Sequence, residues 1–139
     1  MSGVALNIKE KDGFKYIDEG EGEVLMLLHG LFGALSNWAD VTERFKKTHR
    51  VVIPMMPIYE LPPKKASVRS LVDFIHEFVQ LMGLGNMNLL GNSLGGHVGL
   101  IYTLENKEKV KTLILTGSSG LFENGMGNSY PRRGDYEFV

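Results

Sequence analysis

Ser93 lies in the stretch Asn88-Leu89-Leu90-Gly91-Asn92-Ser93-Leu94-Gly95-Gly96-His97, which contains Gly-x-Ser-x-Gly. An apolar run precedes it and a helix-forming stretch follows. A serine on such a strand-to-helix turn is pushed out at the end of the strand with strained backbone angles, where its hydroxyl can attack an electrophilic carbon. Gly91 and Gly95 are needed because side chains there would collide across the turn. Gly96 and Gly99 are expected to let the following helix sit close to the sheet. The helix start after Ser93 offers unpaired N–H groups and a positive dipole end to a developing oxyanion. Other glycine-rich readings compete. Gly91 to Gly96 has the glycine spacing of a phosphate-binding loop, but His97 stands where the lysine belongs, and the spacing is wrong for a dinucleotide fingerprint. A tight turn with a solvent-facing serine is the plain structural alternative.

A second motif, His29-Gly30-Leu31-Phe32-Gly33, follows the apolar run Val24–Leu28 and precedes a helix. Its two glycines allow the backbone to turn an N–H inward. In a parallel sheet this loop and the Ser93 turn lie side by side at the carboxyl ends of strands, where ligand sites form. One oxyanion donor is then the amide of Leu94, and the second is the amide of Leu31, with Phe32 as the next choice. Gly30 and Gly33 give the loop its shape, and His29 holds it by hydrogen bonding.

The elements that position these motifs follow from periodicity. Two extended segments, Val4–Lys9 and Phe14–Asp18, flank the turn signal Asp12-Gly13 and predict a hairpin. Val24–Leu28 is a continuous apolar run, the mark of a strand buried on both faces. Ser36 or Asn37 caps a helix carrying Trp38, Val41 and Phe45 on one face. Val51–Ile53 is a strand stopped by Pro54, and residues 54–66 read as loop. A helix from Ser67 to Met82 carries Leu71, Ile75, Phe78, Val79 and Met82 at helical spacing, with Gly83 as its stop. Met87–Leu90 is a strand, Leu94–Glu105 a helix and Val110–Thr116 a further strand. The order from Val24 is β-α-β-α-β-α-β, which predicts an α/β fold with a mostly parallel sheet and helices on both faces.

Composition bounds the rest. The 139 residues include 43% hydrophobic and 22% charged residues, ordinary values for a globular chain. Glycine is in excess, 17 against a usual share of ~7%. The net charge of −1 gives no electrostatic footprint for nucleic acid or an anionic membrane. The absence of cysteine excludes a disulfide scaffold, thiolate metal ligands and a cysteine nucleophile, and fits a cytoplasmic location. Neither a secretory signal nor a membrane-spanning apolar run is visible.

With both motifs in order and spaced this way, nearly the whole chain resembles the α/β-hydrolase fold family. The His29–Gly33 form is similar to that of small esterases and carbon–carbon bond hydrolases. The resemblance implies Ser93 as nucleophile, the Leu94 and Leu31 amides as oxyanion hole, a small-molecule acyl substrate, and neither metal nor organic cofactor. It also implies a triad order of serine, then acid, then histidine, with the last two on later strands. Residues 1–116 then form the N-terminal part of a hydrolase core truncated after about the sixth strand. Residues 117–139, with five glycines, form a loop leading toward a lid domain that the chain does not contain.

Pro54-Met55-Met56-Pro57-Ile58-Tyr59 stands where many relatives carry a glycine- and serine-containing segment. None of His29, His49, His76 and His97 is placed to be the base: His97 lies one helical turn past Ser93, His49 at the opposite edge, and His76 half exposed on a helix. Asp12, Asp18, Asp40, Asp73 and Asp135 include no convincing acid, and Glu123 is a weak one. Two functional classes follow: a serine hydrolase acting on an ester or similar acyl group, or a non-catalytic fragment or binding protein on a hydrolase scaffold. The strand Val110–Thr116 is expected to be an unprotected sheet edge open to self-association.

Overall fold

Asp12 and Gly13 both take positive φ, 49° and 85°, as a two-residue hairpin turn requires. The turn joins β1 (Lys9–Lys11) to β2 (Phe14–Glu19), which pair antiparallel with Lys9 opposite Tyr16. Of the expected strand Val4–Lys9 only Lys9 lies in β1: Asn7 and Ile8 are outside it, residues 4–6 lie outside the described residues, and the register set by the turn brings Lys9–Lys11 onto β2. The computed structural model describes residues 7–30, 38–58 and 67–117.

The remaining elements are β3 (Glu23–Leu28), α1 (Ala39–Phe45), β4 (His49–Pro54), α2 (Val68–Met82), β5 (Met87–Asn92), α3 (Leu94–Glu105) and β6 (Val110–Thr116). The predicted alternation from Val24 holds, and α3 and β6 have the expected bounds. The six strands form one sheet in the order β1-β2-β4-β3-β5-β6. The pairs β4–β3, β3–β5 and β5–β6 are parallel, and β2 joins β4 antiparallel. The chain passes from β3 to β4 on one side, then returns across β3 to place β5 on the other. That reversal opens a crevice at the carboxyl ends of β3 and β5.

Side chains alternate along the central strands and feed two cores. Met26, Leu28, Val52 and Leu89 pack with Leu71, Ile75, Phe78 and Val79 of α2 and with Val98 and Tyr102 of α3. Leu25, Leu27, Val51, Ile53 and Ile17 pack with Trp38 on the other face. Ser67 caps α2 by accepting the Ser70 N–H at 3.1 Å, and Gly83 ends the helix at a φ of 64°. The Gly83 and Leu84 amides close back onto Gln80 and Val79, satisfying the last carbonyls.

Several expectations change. Phe45 is not on the buried face of its helix: it is 38% exposed and meets the His49 ring edge-on at 5.8 Å. The seven-residue α1 points Ala39 and Thr42 inward, and Phe45 in its last turn falls at the margin. Trp38 holds the cap position, while Ser36 and Asn37 lie outside the described residues. The strand does end at Pro54, but includes it as its last residue and starts earlier than Val51, at His49. The β3 pairing ends at Val52, so beside Pro54 only β2 remains, with Pro54 opposite Tyr16 as the final pair. Met56 and Ile58, read as loop, are buried in the α2-side core, and residues 59–66 lie outside the described residues.

Candidate active site

The β5 strand ends at Asn92 and α3 begins at Leu94, leaving Ser93 alone to make the corner. Its φ of 56° and ψ of −121° are those of the first central residue of a type II′ turn, a glycine position. A non-glycine residue there costs of the order of 1–3 kcal/mol and persists only where the surroundings hold it. Those surroundings are visible. The Ser93 N–H donates to the Thr116 carbonyl of β6 at 2.9 Å, and the Ser93 carbonyl accepts the Gly96 and His97 amides at 2.9 and 3.2 Å. Asn92 is fixed in turn, its Oδ1 accepting the Thr116 hydroxyl at 3.0 Å.

The corner is tight enough to exclude side chains. A Cβ on Gly95 would lie 2.6 Å from the His29 carbonyl oxygen and closer still to that of Leu28. A Cβ on Gly91 would lie 2.5 Å from the Gly95 carbonyl oxygen and 2.6 Å from the Gly96 Cα. The helix start, not the later glycine, therefore makes the close approach to the sheet. A Cβ on Gly99 would meet Leu89, Leu28 and Leu113 at 3.4–3.7 Å, ordinary contact distances, so the expectation that Gly99 is needed there is corrected.

The His29 loop meets this corner. A Cβ on Gly30 would stand 2.8 Å from the Ser93 Cβ and 3.4 Å from its Oγ. Ser93 and Gly30, the last described residue after β3, are thus neighbours at the crevice, as their positions at adjacent strand ends predict. His29 is buried, its Nε2 accepting the Met56 N–H at 3.1 Å. A backbone amide can only donate, so Nε2 carries no proton and Nδ1–H points at the Gly30 carbonyl, 3.3 Å away. Burial pushes the imidazole below its ordinary value, outweighing the opposing pull of the Gly30 carbonyl. A neutral ring with both nitrogens engaged ties the end of β3 to the segment after β4. Leu31, Phe32 and Gly33 lie outside the described residues. Leu94 begins α3 and packs partly buried against the α2-side core.

The other titratable candidates sit elsewhere. His76 contacts Glu105 at 3.0 Å on the seam between α2 and α3. His49 starts β4, at the opposite end of the sheet from Ser93, and bonds the Thr48 hydroxyl at 2.8 Å. His97 is partly buried on α3. Asp18 is held by Arg50 through two bonds of 2.9 and 2.8 Å, and Asp73 by Arg69 at 2.8 Å. Asp12 sits in the hairpin turn and Asp40 is exposed on α1. Glu123 and Asp135 lie outside the described residues. Among the described residues no three metal-ligating side chains converge, and no helix is long and apolar enough to cross a membrane.

Sequence reading missed two supports of the site: the Thr116–Asn92 bond and the Met56 amide on His29. The first was findable from strand order, since neighbouring parallel strands put Asn92 beside Thr116.

The comparisons with known proteins agree with this geometry. Residues 23–137 match the model of the alpha/beta hydrolase fold family. Lipase 1 of Psychrobacter immobilis is 29% identical over 131 residues, covering 90% of this chain and 41% of the lipase. The 2-hydroxy-6-oxo-6-(2'-aminophenyl)hexa-2,4-dienoic acid hydrolase of Metapseudomonas resinovorans is 31% identical over 114 residues, covering 77% of this chain and 39% of that enzyme. Among solved structures, the alpha/beta hydrolase enzyme MGS-MChE2, from the metagenome of Mar Chica lagoon sediments, superposes with a TM-score of 0.77 at 43% identity. That match covers 84% of this chain and 54% of that one. The chain thus spans about half or less of the length of these relatives. The switch-point crevice, the Ser93 corner and the family match converge on one conclusion: the chain belongs to the α/β-hydrolase fold family.

Proposed function

We propose that this chain carries the nucleophile and oxyanion hole of a serine hydrolase acting on an ester or similar acyl substrate. The observation that supports it most is Ser93 in a glycine backbone conformation, with Gly30 of the neighbouring loop against its side chain. Strain at one serine, in the crevice where such sheets bind ligands, is expected of a residue that must present its oxygen.

In this reading Ser93 Oγ adds to the substrate carbonyl while a base takes its proton. The carbonyl oxygen becomes an oxyanion held by the Leu94 amide, which helix geometry leaves without an intrahelical acceptor. The second donor is the Leu31 amide, with Phe32 as the alternative. Collapse expels the leaving group, which takes the proton, and water then frees the acyl group from Ser93. His29 is a positioning residue, since its ring nitrogens are already committed to Gly30 and Met56. The family's triad order expects the acid and base on later strands, and a serine without its base is weakly nucleophilic at neutral pH. The 139 residues alone are therefore expected to be inactive toward esters. A lipase and a dienoic acid hydrolase among the relatives both favour hydrolysis as the reaction class.

The test is labelling by a fluorophosphonate probe in a protein that joins this chain to a C-terminal half of the relatives' length. Ser93 should carry the probe, and Ser93→Ala should abolish both labelling and ester hydrolysis. Labelling or hydrolysis that survives Ser93→Ala would overturn the assignment.

A further inference from the structure

Thr116, the last residue of β6, meets three consecutive residues of the neighbouring strand and its corner. Its carbonyl accepts the Ser93 N–H at 2.9 Å. Its hydroxyl donates to Asn92 Oδ1 at 3.0 Å and stands 3.5 Å from the Gly91 carbonyl oxygen. A hydroxyl has one proton, and only the shorter distance falls in the usual range for an O–H···O bond, so Asn92 takes it. The pleat explains why these side chains meet. Leu113 packs on the α2-side core and Leu90 on the Trp38-side core, and side chains alternate along each strand. Thr116 and Asn92 therefore share the face of Leu90, where they are the last pair in the β5–β6 register. Both contacts lie on the β5 side of β6, whatever sequence follows the strand.

Any residue at position 116 supplies the carbonyl; the hydroxyl is what threonine adds. Ser93 can leave its positive φ of 56° only if the peptide that precedes it turns over. That rotation is favoured by the strain a glycine would be spared, and it carries the Ser93 N–H off the Thr116 carbonyl. The peptide pivots on Asn92, and the hydroxyl ties the Asn92 side chain to the same residue that holds the Ser93 N–H. We propose that Thr116 is a positioning residue for Ser93: its hydroxyl acts through Asn92 to keep the corner in the conformation that presents the serine oxygen to the crevice. Its effect on reactivity rests on Ser93 being the nucleophile, whereas its hold on the corner does not.

Valine and serine at position 116 separate this role from strand stability. Thr116→Val keeps the branched shape that strands favour and removes the hydroxyl; Thr116→Ser keeps the hydroxyl and gives up the branch. Backbone amide exchange at Ser93 in the 139-residue chain reads the corner without any activity. It should quicken roughly tenfold in Thr116→Val, the scale of one hydrogen bond, and stay near the wild-type rate in Thr116→Ser. Stability in urea should run the other way, with Thr116→Val no less stable than Thr116→Ser. Asn92→Ala should quicken exchange as Thr116→Val does, and the double variant should go no further, because the hydroxyl then has no partner. In the protein joined to a C-terminal half, fluorophosphonate labelling of Ser93 should slow by a similar factor in Thr116→Val and be largely restored in Thr116→Ser. If that joined protein does not label at all, the nucleophile assignment fails and exchange still decides the hold on the corner. Wild-type exchange or wild-type labelling in Thr116→Val, a loss in Thr116→Ser equal to that in Thr116→Val, or an undiminished effect of Thr116→Val on top of Asn92→Ala would overturn the proposal.

Discussion

At the carboxyl ends of β3 and β5, backbone packs on backbone; along the seam between α2 and α3, side chain meets side chain in water. In the first region Gly95 rests under the Leu28 and His29 carbonyls, and Gly30 rests on Ser93. In the second, Arg69 forks to Glu105 at 2.6 and 3.0 Å and to Asp73 at 3.0 and 2.8 Å, while His76 approaches Glu105 from the other side. Both regions tie α3 to the rest of the molecule. They differ in what can give way. A long exposed side chain finds another rotamer or a water molecule, whereas a carbonyl in a sheet has nowhere to go. Positional accuracy is therefore concentrated at the corner that holds Ser93.

The sharpest test of this difference is Gly95→Ala. The added methyl falls inside the Leu28 carbonyl, so β3 and α3 must separate, at a cost of roughly 4 kcal/mol or more in urea unfolding. A smaller loss follows from His29→Phe, which strands the Met56 N–H and the Gly30 carbonyl; about 2–3 kcal/mol is expected, with faster hydrogen exchange at Met56. This variant also carries a pH signature. The buried imidazole has its proton affinity lowered from the ordinary 6.5, so the unfolded chain takes up the proton first as pH falls. Stability from this residue is full above that value and is lost as pH drops through the folded one. The wild type should show that slope, and His29→Phe should show less of it.

Further along the same helix, Gly99→Ala should be tolerated or should stabilise by up to ~1 kcal/mol, since the methyl finds ordinary contacts and alanine favours helix. A loss like that of Gly95→Ala would erase the distinction between the two glycines. The smallest effect belongs to Arg69→Ala, a change that moderate salt should mask. Bonds from Arg69, then His76, hold the Glu105 carboxyl at about 2, well below its ordinary 4.5. Its contribution is present above 4.5 and fades as pH falls toward 2, and in Arg69→Ala that acid limb should shift upward.

Much of this architecture was legible because its signals are local. The bounds of α3 and β6 and the end of α2 at Gly83 follow from that glycine and runs of apolar residues, while Ser67, read as the first helical residue, is the cap before Val68. The Ser93 corner is likewise written in a few adjacent residues. Features that depend on distant partners were not legible. Whether Gly95 or Gly99 touches the sheet depends on how α3 lies across β3. The His29–Met56 bond joins residues 27 apart, and Pro54 and Pro57 drew attention from the apolar Met56 and Ile58 between and beside them. Phe45 followed helical spacing, but its helix is too short to bring that position over the sheet.

The central claim is that packing holds Ser93 in a backbone conformation suited to glycine, so that its side chain faces the crevice. Urea unfolding of Ser93→Gly against Ser93→Ala tests this directly, because both remove the hydroxyl and only one relieves the strain. Ser93→Gly should be the more stable by about 1 kcal/mol or more. Equal stability, or an advantage for Ser93→Ala, would contradict the account.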